Sequence, residues 1–517
     1  MSSEALYGRR WWALGVLGLS LFLISLDNTI LNVALPTLQE DLSPSASGLQ
    51  WIVDSYLLVF AGLLLVAGSL GDRFGRRRML FAGLGIFGFG SVLAAMSGSA
   101  ELLIASRALM GLGAAAIMPS TLSILTNTFP DRERAKAIAI WSGVAGLGVA
   151  FGPVVGGYLL KHFSWGSVFL VNVPLVVIAI AAALWLVPES RDASGSRLDP
   201  IGAVLSVVGL TTLVWAIIEA PGHGWTSPSV VGAFAASAAV LGAFVAWELR
   251  VESPMLPLRF FRDPRFSAAS ISIALVFFSL FGVIFFLTVY LQSVLGYTAL
   301  EAGVRTIPVS AALIVGSGLS TKLDKRLGTK FVVALGLLVV AAALGILGTI
   351  DAASGYAVIA LSLVVLGLGM GLAMAPATES IMGSLPRDQA SIGSAVNDTV
   401  RQVGGALGVA ILGSVLSSRY SSDMDDAVRE LPAPAAHAAS DGLAGAVQVA
   451  AQTGNDGLVA SANHAFVAGM STAAWVAAGV ALAGAVIAFV ALPSRARDGA
   501  DAVELPLAQL EPQAVAA

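Results

Sequence analysis

Residues 49–98 read LQWIVDSYLLVFAGLLLVAGSLGDRFGRRRMLFAGLGIFGFGSVLAAMSG. Two apolar runs, 49–70 and 79–98, are joined by the turn Gly68-Ser-Leu-Gly-Asp72-Arg73-Phe-Gly75-Arg76-Arg77-Arg78. Each run supplies the roughly 20 apolar residues that a helix needs to cross a bilayer core. The turn crowds arginine between them, as expected of a connection on the cytoplasmic side. The stretch therefore predicts two membrane helices and an inner turn.

The same punctuation extends along the whole chain. Apolar stretches occupy 12–35, 49–70, 79–98, 102–127, 135–160, 166–187, 200–219 and 229–249, then 268–294, 301–320, 331–350, 355–380, 391–416 and 463–491, fourteen in all. Of 517 residues, 57% are hydrophobic and 12% charged, with mean hydropathy +0.85. Soluble domains carry about 25% charged residues, so a water-facing surface cannot be built and a soluble enzyme is excluded. The absence of cysteine removes disulfides, thiolate metal sites and cysteine nucleophiles. A net charge of −4 suggests no nucleic-acid partner. The expectation is an all-α membrane protein. Arg9 and Arg10 precede the first run as in a secretory signal, but its length and its internal Asp27 predict a retained span.

Basic residues test the count, because cytoplasmic segments accumulate them. With the amino terminus inside and each span switching sides, 22 of the 28 lysines and arginines lie inside. Lys161, Arg419 and Arg429 lie outside, and Arg107, Arg305 and Arg401 fall within spans. Both termini are thus expected in the cytoplasm.

Transporters are often built from repeated halves. After the tenth span, Leu323-Asp324-Lys325-Arg326-Leu-Gly328-Thr-Lys330 echoes the first basic turn. This predicts two six-helix bundles, 1–190 and 263–492, with spans 7 and 8 as an inserted hairpin (191–262) between them. The segment 417–462, rich in Ala, Ser, Asp and Gly, is expected to be an outer loop, poorly ordered apart from a short helix or hairpin. The tail 493–517 is expected to be a disordered cytoplasmic extension.

Four segments bear a family resemblance. They are Leu26-Asp27-Asn28-Thr29-Ile30-Leu31-Asn32-Val33-Ala34-Leu35-Pro36, the Gly68–Arg78 turn, Ile104-Ala-Ser-Arg107-Ala-Leu-Met-Gly111-Leu-Gly113, and Gly148-Val-Ala-Phe-Gly152-Pro153-Val-Val-Gly156-Gly157. They resemble signatures of the major facilitator superfamily, specifically its fourteen-span drug:proton antiporter family. Weaker echoes are Trp165 to Pro174, Tyr290-Leu-Gln292 and Arg401-Gln402-Val-Gly404-Gly405-Ala. The second basic turn is degraded, and Gly166-Ser167 replaces the usual aromatic after Trp165. The resemblance implies the major facilitator fold and alternating access. It also implies proton-driven export, because importers of the superfamily generally lack the glycine–proline motif, and it associates Arg107 with proton transfer.

A charge at the bilayer centre costs at least ~2.5–3.5 kcal/mol, so each one calls for an explanation. Asp27 and Asp54 are expected as protonatable carboxylates facing a central cavity. Alternatively, Asp27 is a local helix hydrogen-bonding group and Asp54 sits at the outer interface. Arg107 either re-pairs as a carboxylate gains and loses its proton, or holds spans together in a static pair. Gly148, Gly152 and Gly156 share a helix face that admits a close neighbour, and Pro153 removes a helix hydrogen bond. The expected result is a seam about which two bundles rock, or simple close packing. Asp72 with Arg73, Arg76, Arg77 and Arg78, turned at Gly75, is expected as an inner latch pairing charges across the bundles, or as topology-setting charge alone. Asp398 and Arg401, three apart, are expected to pair on one helix face, with Glu301 and Arg305 a similar case. Candidates for a substrate cavity are Asn28, Asn32, Trp51, Tyr56, Met118, Phe281, Gln292, Asp398 and Arg401.

The functional expectation is a proton-coupled exporter of amphipathic or cationic drugs or antibiotics in the cytoplasmic membrane, monomeric and without a cofactor. An exporter of an endogenous metabolite, siderophore or lipid is the alternative. A membrane enzyme is disfavoured. His162, His223, His437 and His464 all lie in or beside expected outer loops, and neither a His-Glu-x-x-His nor a nucleotide-binding P-loop motif occurs.

Overall fold

In the computed structural model, which describes residues 3–191, 199–252, 254, 256–351, 354–384 and 390–493, the quoted stretch forms two helices broken at a single glycine. The first seven helices are α1 (Ser3–Leu42), α2 (Ala46–Phe74), α3 (Arg76–Ala95), α4 (Ala100–Thr128), α5 (Asp131–His162), the short α6 (Ser167–Leu170) and α7 (Asn172–Leu186). An antiparallel pair follows, α8 (Pro200–His223) and α9 (Pro228–Glu248). The remainder comprises α10 (Pro264–Val289), closed by a π turn at Tyr290–Val294, then α11 (Ala299–Arg305), α12 (Ile307–Leu327), α13 (Thr329–Gly348), α14 (Tyr356–Gly383), α15 (Ala390–Met424), α16 (Ala433–Asp441), α17 (Leu443–Thr453) and α18 (Asp456–Ala491). Expectations for Arg197, Arg387 and the tail beyond 493 fall outside the described residues.

Side-chain caps set the starts. Ser45 Oγ accepts from Gly48 N at 3.0 Å, Ser99 Oγ from Leu102 N at 3.3 Å, and Asp199 Oδ1 from Gly202 N at 2.8 Å, each taking up an otherwise orphaned donor. Gly75 (φ 115°) separates α2 from α3, and Gly328 (φ 88°) separates α12 from α13. Both adopt a left-handed backbone that favours glycine, so the two basic turns share their stop signal.

Thirteen helices among the described residues are long and apolar enough to cross a membrane, and they coincide with thirteen of the fourteen predicted stretches. The remaining stretch, 135–160, lies on α5, a 32-residue helix that is not among the thirteen. Among the described residues the exact count of fourteen is therefore not confirmed. Large apolar side chains such as Trp12, Met96, Trp185 and Val490 point away from the protein, as lipid-facing positions do.

The helix packing repeats. Within the first seven helices α1 packs on α5, α2 and α3 on α4, and α7 on α1 and α3. In the second set α10 packs on α15, α12 and α13 on α14, and α18 on α10 and α13, in the same order. The sets meet where α2 lies against α15 and where α5 lies against α11 and α12. α8 packs against both α2 and α15, alongside that contact, with Val207 against Gly62 and Ser414 Oγ donating to Ile217 O at 2.7 Å.

The segment 417–462 holds more helix than the short helix or hairpin expected of it. α15 continues to Met424, and α16 and α17 pack on one another and on the ends of α15 and α18. Tyr420 donates its hydroxyl to Ala439 O at 3.0 Å. Asp441 accepts from the backbone of Ala46, and burial raises its carboxyl above the usual range, with the charge of Glu219 adding to the rise. Alanine-rich sequence favours helix, so what reads as loop composition folds as a packed helical pair.

Candidate functional site

Asp27 sits in the second half of α1 and Arg107 two turns into α4, and both are almost wholly buried. Arg107 Nη1 donates to Asp27 Oδ2 at 2.5 Å, and Nε donates to Ile52 O of α2 at 3.2 Å. The guanidinium also lies over the Tyr56 ring, 4.3 Å from its centroid. Asn172, at the start of α7, donates from Nδ2 to Asp27 Oδ1 at 2.8 Å and to Ser91 Oγ of α3 at 3.3 Å. Side chains from five helices thus converge on one ion pair. In a low-dielectric interior such a pair survives only when its remaining hydrogen-bonding capacity is met. Here each Asp27 oxygen has a donor.

The sequence leads us to expect Asp27 and Asp54 either facing a central cavity or, respectively, hydrogen-bonding locally and sitting at the outer interface. Asp27 is enclosed within the first set of helices, because Arg107 and Asn172 draw it inward. Asp54, further along α2 from Ile52, is also fully buried, and neither of its oxygens has a hydrogen-bond partner. The sequence pointed to both carboxylates and to Arg107 as isolated charges in apolar runs. It gave no role to Asn172 or Ser91, because uncharged polar residues are common in spans. We expect Asn172→Leu to cost about 1–3 kcal/mol by stripping Asp27 Oδ1 of its donor, measured by thermal unfolding in detergent.

Between the sets lies a narrow cleft lined by Thr29, Asn32 and Val33 of α1, Val149, Ala150 and Pro153 of α5, Ile284 and Thr288 of α10, and Thr306, Ile307, Val309 and Ser310 at the start of α12. Of the candidate cavity residues only Asn32 lines it. Asn28 is half-buried one turn away, and Met118 is half-buried in α4. Trp51 donates from Nε1 to Glu219 of α8 at 3.1 Å, and Phe281 packs against Gly405. Gln292, in the π turn, donates to Val33 O at 3.0 Å and so joins the sets. Asp398 and Arg401 form an ion pair at 3.6 Å, and the guanidinium lies over Phe277. Glu301 instead closes a capping box with Thr298, while Arg305 lies over Tyr297 and Tyr356.

The glycine motif makes the close helix packing that was one of its two expected roles. Gly148, Gly152 and Gly156 face Ser25, Thr29 and Ile30 of α1, within the first set. The contact between sets is made by the next positions. Pro153 O lies against Gly303, and Gly157 lies against Leu300. A side chain on either glycine would meet backbone, so the approach depends on small residues. With Gln292–Val33, Asp441–Ala46 and Gln50 against Gly413, the described polar and close contacts between sets gather at the end bearing the α1–α2 connection.

At the opposite end, Arg76 Nε pairs with Asp72 at 2.7 Å one turn away. Arg78 approaches Glu189 at 3.8 Å, and Arg77 donates to Val187 O at 3.1 Å and, through its backbone, to Glu189 at 3.1 Å. Arg73 lies against Phe74. The described partners of this turn therefore tie α2–α3 to the end of α7 rather than across the sets, because Glu189 follows α7 directly beneath Gly75.

The model of the Major Facilitator Superfamily matches residues 17–409. The chain belongs to the major facilitator superfamily. It is 39% identical over 488 residues to "Multidrug efflux pump LfrA" of Mycolicibacterium smegmatis, covering 93% of this chain and 96% of that one. It is 35% identical over 499 residues to "Tetracenomycin C resistance and export protein" of Streptomyces glaucescens, covering 94% and 92%. Among solved structures, a bacterial homologue of the human lysosomal transporter Spinster, inward-facing and occupied, superposes with TM-score 0.66 at 18% identity over 93% of this chain and 97% of that one. The xylose transporter XylE from E. coli, inward open, gives TM-score 0.58 at 14% identity over 94% and 96%. The repeated packing is thus that of a multi-pass facilitator fold.

Proposed function

We propose that this facilitator is a proton-coupled antiporter that exports amphipathic or cationic drugs or antibiotics across the cytoplasmic membrane. The carrying observation is the sealed Asp27–Arg107 pair with unpartnered Asp54 on the neighbouring helix. The similarity to a multidrug efflux pump and to a tetracenomycin C export protein supports drug export. Basic turns and both termini face the cytoplasm in this reading, so the end closed by Gln292–Val33 and Pro153–Gly303 faces outward. Protonation of Asp27 removes the charge that holds Arg107. The arginine then turns to another acceptor, and the helices it ties are freed to shift about the α5–α11 contact. Parting of the sets would widen the cleft, where Thr29 and Asn32 sit among apolar side chains, into a surface suited to an amphipathic substrate.

The driving force is adequate. About 2.3 kcal/mol per charge per 100 mV and about 1.4 kcal/mol per pH unit are available for each inward proton. The chain acts as a monomer and needs no cofactor beyond the proton gradient.

Dye efflux from everted vesicles at imposed pH gradients tests the reading. Asp54→Asn mimics the neutral carboxyl and removes no partner, so folding is retained while gradient-driven efflux falls at least several-fold. Efflux that ignores the gradient in the unaltered protein would overturn the assignment.

A further inference from the structure

We infer that Asp199 and Glu248 bind one proton between them and so form a pH-released clasp at the base of the α8–α9 hairpin. Asp199 caps α8 and Glu248 ends α9, and both are more than nine-tenths buried. One oxygen of each is already committed. Asp199 Oδ1 accepts from Gly202 N and from Trp247 Nε1, both at 2.8 Å, and Glu248 Oε2 accepts from Leu256 N at 2.9 Å. The other two oxygens, Asp199 Oδ2 and Glu248 Oε1, have no donor. They face one another across Gly202, each 2.5 Å from the place a Cβ would occupy there, and the side chains lie within hydrogen-bonding reach.

Two acceptor-only groups in that position repel, and a buried acceptor left empty costs ~1–3 kcal/mol. A single proton resolves both problems, with the O–H of one carboxyl donating to the carboxylate of the other. Among the described residues the surrounding charges do not offer another solution. Arg250 and Glu252 after α9 are exposed, α2 presents Gly62 to α8, and no basic side chain among the described residues pairs with either carboxyl. The proton comes from and returns to solvent at the α2–α3 end. In the orientation proposed above that side is the cytoplasm, so the clasp responds to internal pH. When it empties, two like charges part the base of the hairpin.

The test uses full-length protein in detergent and is independent of transport. The folded state holds a proton that the unfolded chain releases at neutral pH. Stability is therefore present at lower pH and lost as pH rises, and the unfolding constant grows about tenfold per pH unit across the titration. Glu248→Gln and Asp199→Asn keep the hydrogen bond without the titration and flatten this slope. Gly202→Ala parts the two oxygens with a methyl group and also removes it. The infrared carbonyl band of a protonated carboxylic acid, assigned by difference from Glu248→Gln, disappears over the same range. An unchanged slope and band in all three variants would overturn the inference. So would loss of the band on adding sodium or magnesium at fixed pH, which would make the pair a metal site instead.

Discussion

Asp27→Asn abolishes gradient-driven export and leaves the protein measurably less stable, by about 3–5 kcal/mol, the usual cost of removing one partner from a buried ion pair. The cost arises because Arg107, itself buried, loses the one carboxylate it pairs with among the described residues. Asparagine keeps an oxygen for one hydrogen bond but no charge. The double variant Asp27→Asn with Arg107→Gln separates the two effects, because no buried charge remains. Stability returns toward that of the unaltered protein while export stays absent. Thermal unfolding in detergent and efflux from everted vesicles read the two outcomes. Undiminished export by Asp27→Asn would remove this carboxylate from the mechanism.

The second large effect is expected at Gly303→Val. Its side chain would collide with Pro153 O, and Val154 N lies 3.3 Å away. Overpacking costs ~1–3 kcal/mol, here charged only to the conformation in which α5 and α11 touch. That corresponds to about a 5–150-fold shift toward the opposite arrangement. Because the chain contains no cysteine, single cysteines on α5 and α11 can carry spin labels without background. The expected result is a longer distance between them, an intact fold and export reduced at least tenfold. A distance distribution that does not move would show that this contact is not part of the closing surface.

The fold was readable because its signals are local. Apolar run length, basic turns and the paired stops at Gly75 and Gly328 each occupy a few neighbouring residues. For the segment holding α16 and α17 a short helix or hairpin was readable but its packing was not, since isolated helices this short are marginal until α15 and α18 offer a surface. For the site, charge drew attention to Asp27, Asp54 and Arg107. Their partnership was not legible, because 80 residues separate Asp27 from Arg107 and no spacing rule links different helices. Asn172 and Ser91 complete the pair yet look like ordinary polar residues. The direction of the basic turn misled for the same reason. Arg77 and Arg78 find Glu189 more than a hundred positions later, within the same half rather than opposite.

The position of α8 beside the α2–α15 contact makes the molecule's two flanks unequal. A plain pair of six-helix lobes would offer the surrounding lipid two equivalent side entrances, one along each line where the lobes touch. Here one is boarded over by an extra hairpin. The two flanks therefore present different faces to the lipid, the added hairpin along one and the bare line between α5 and α12 along the other.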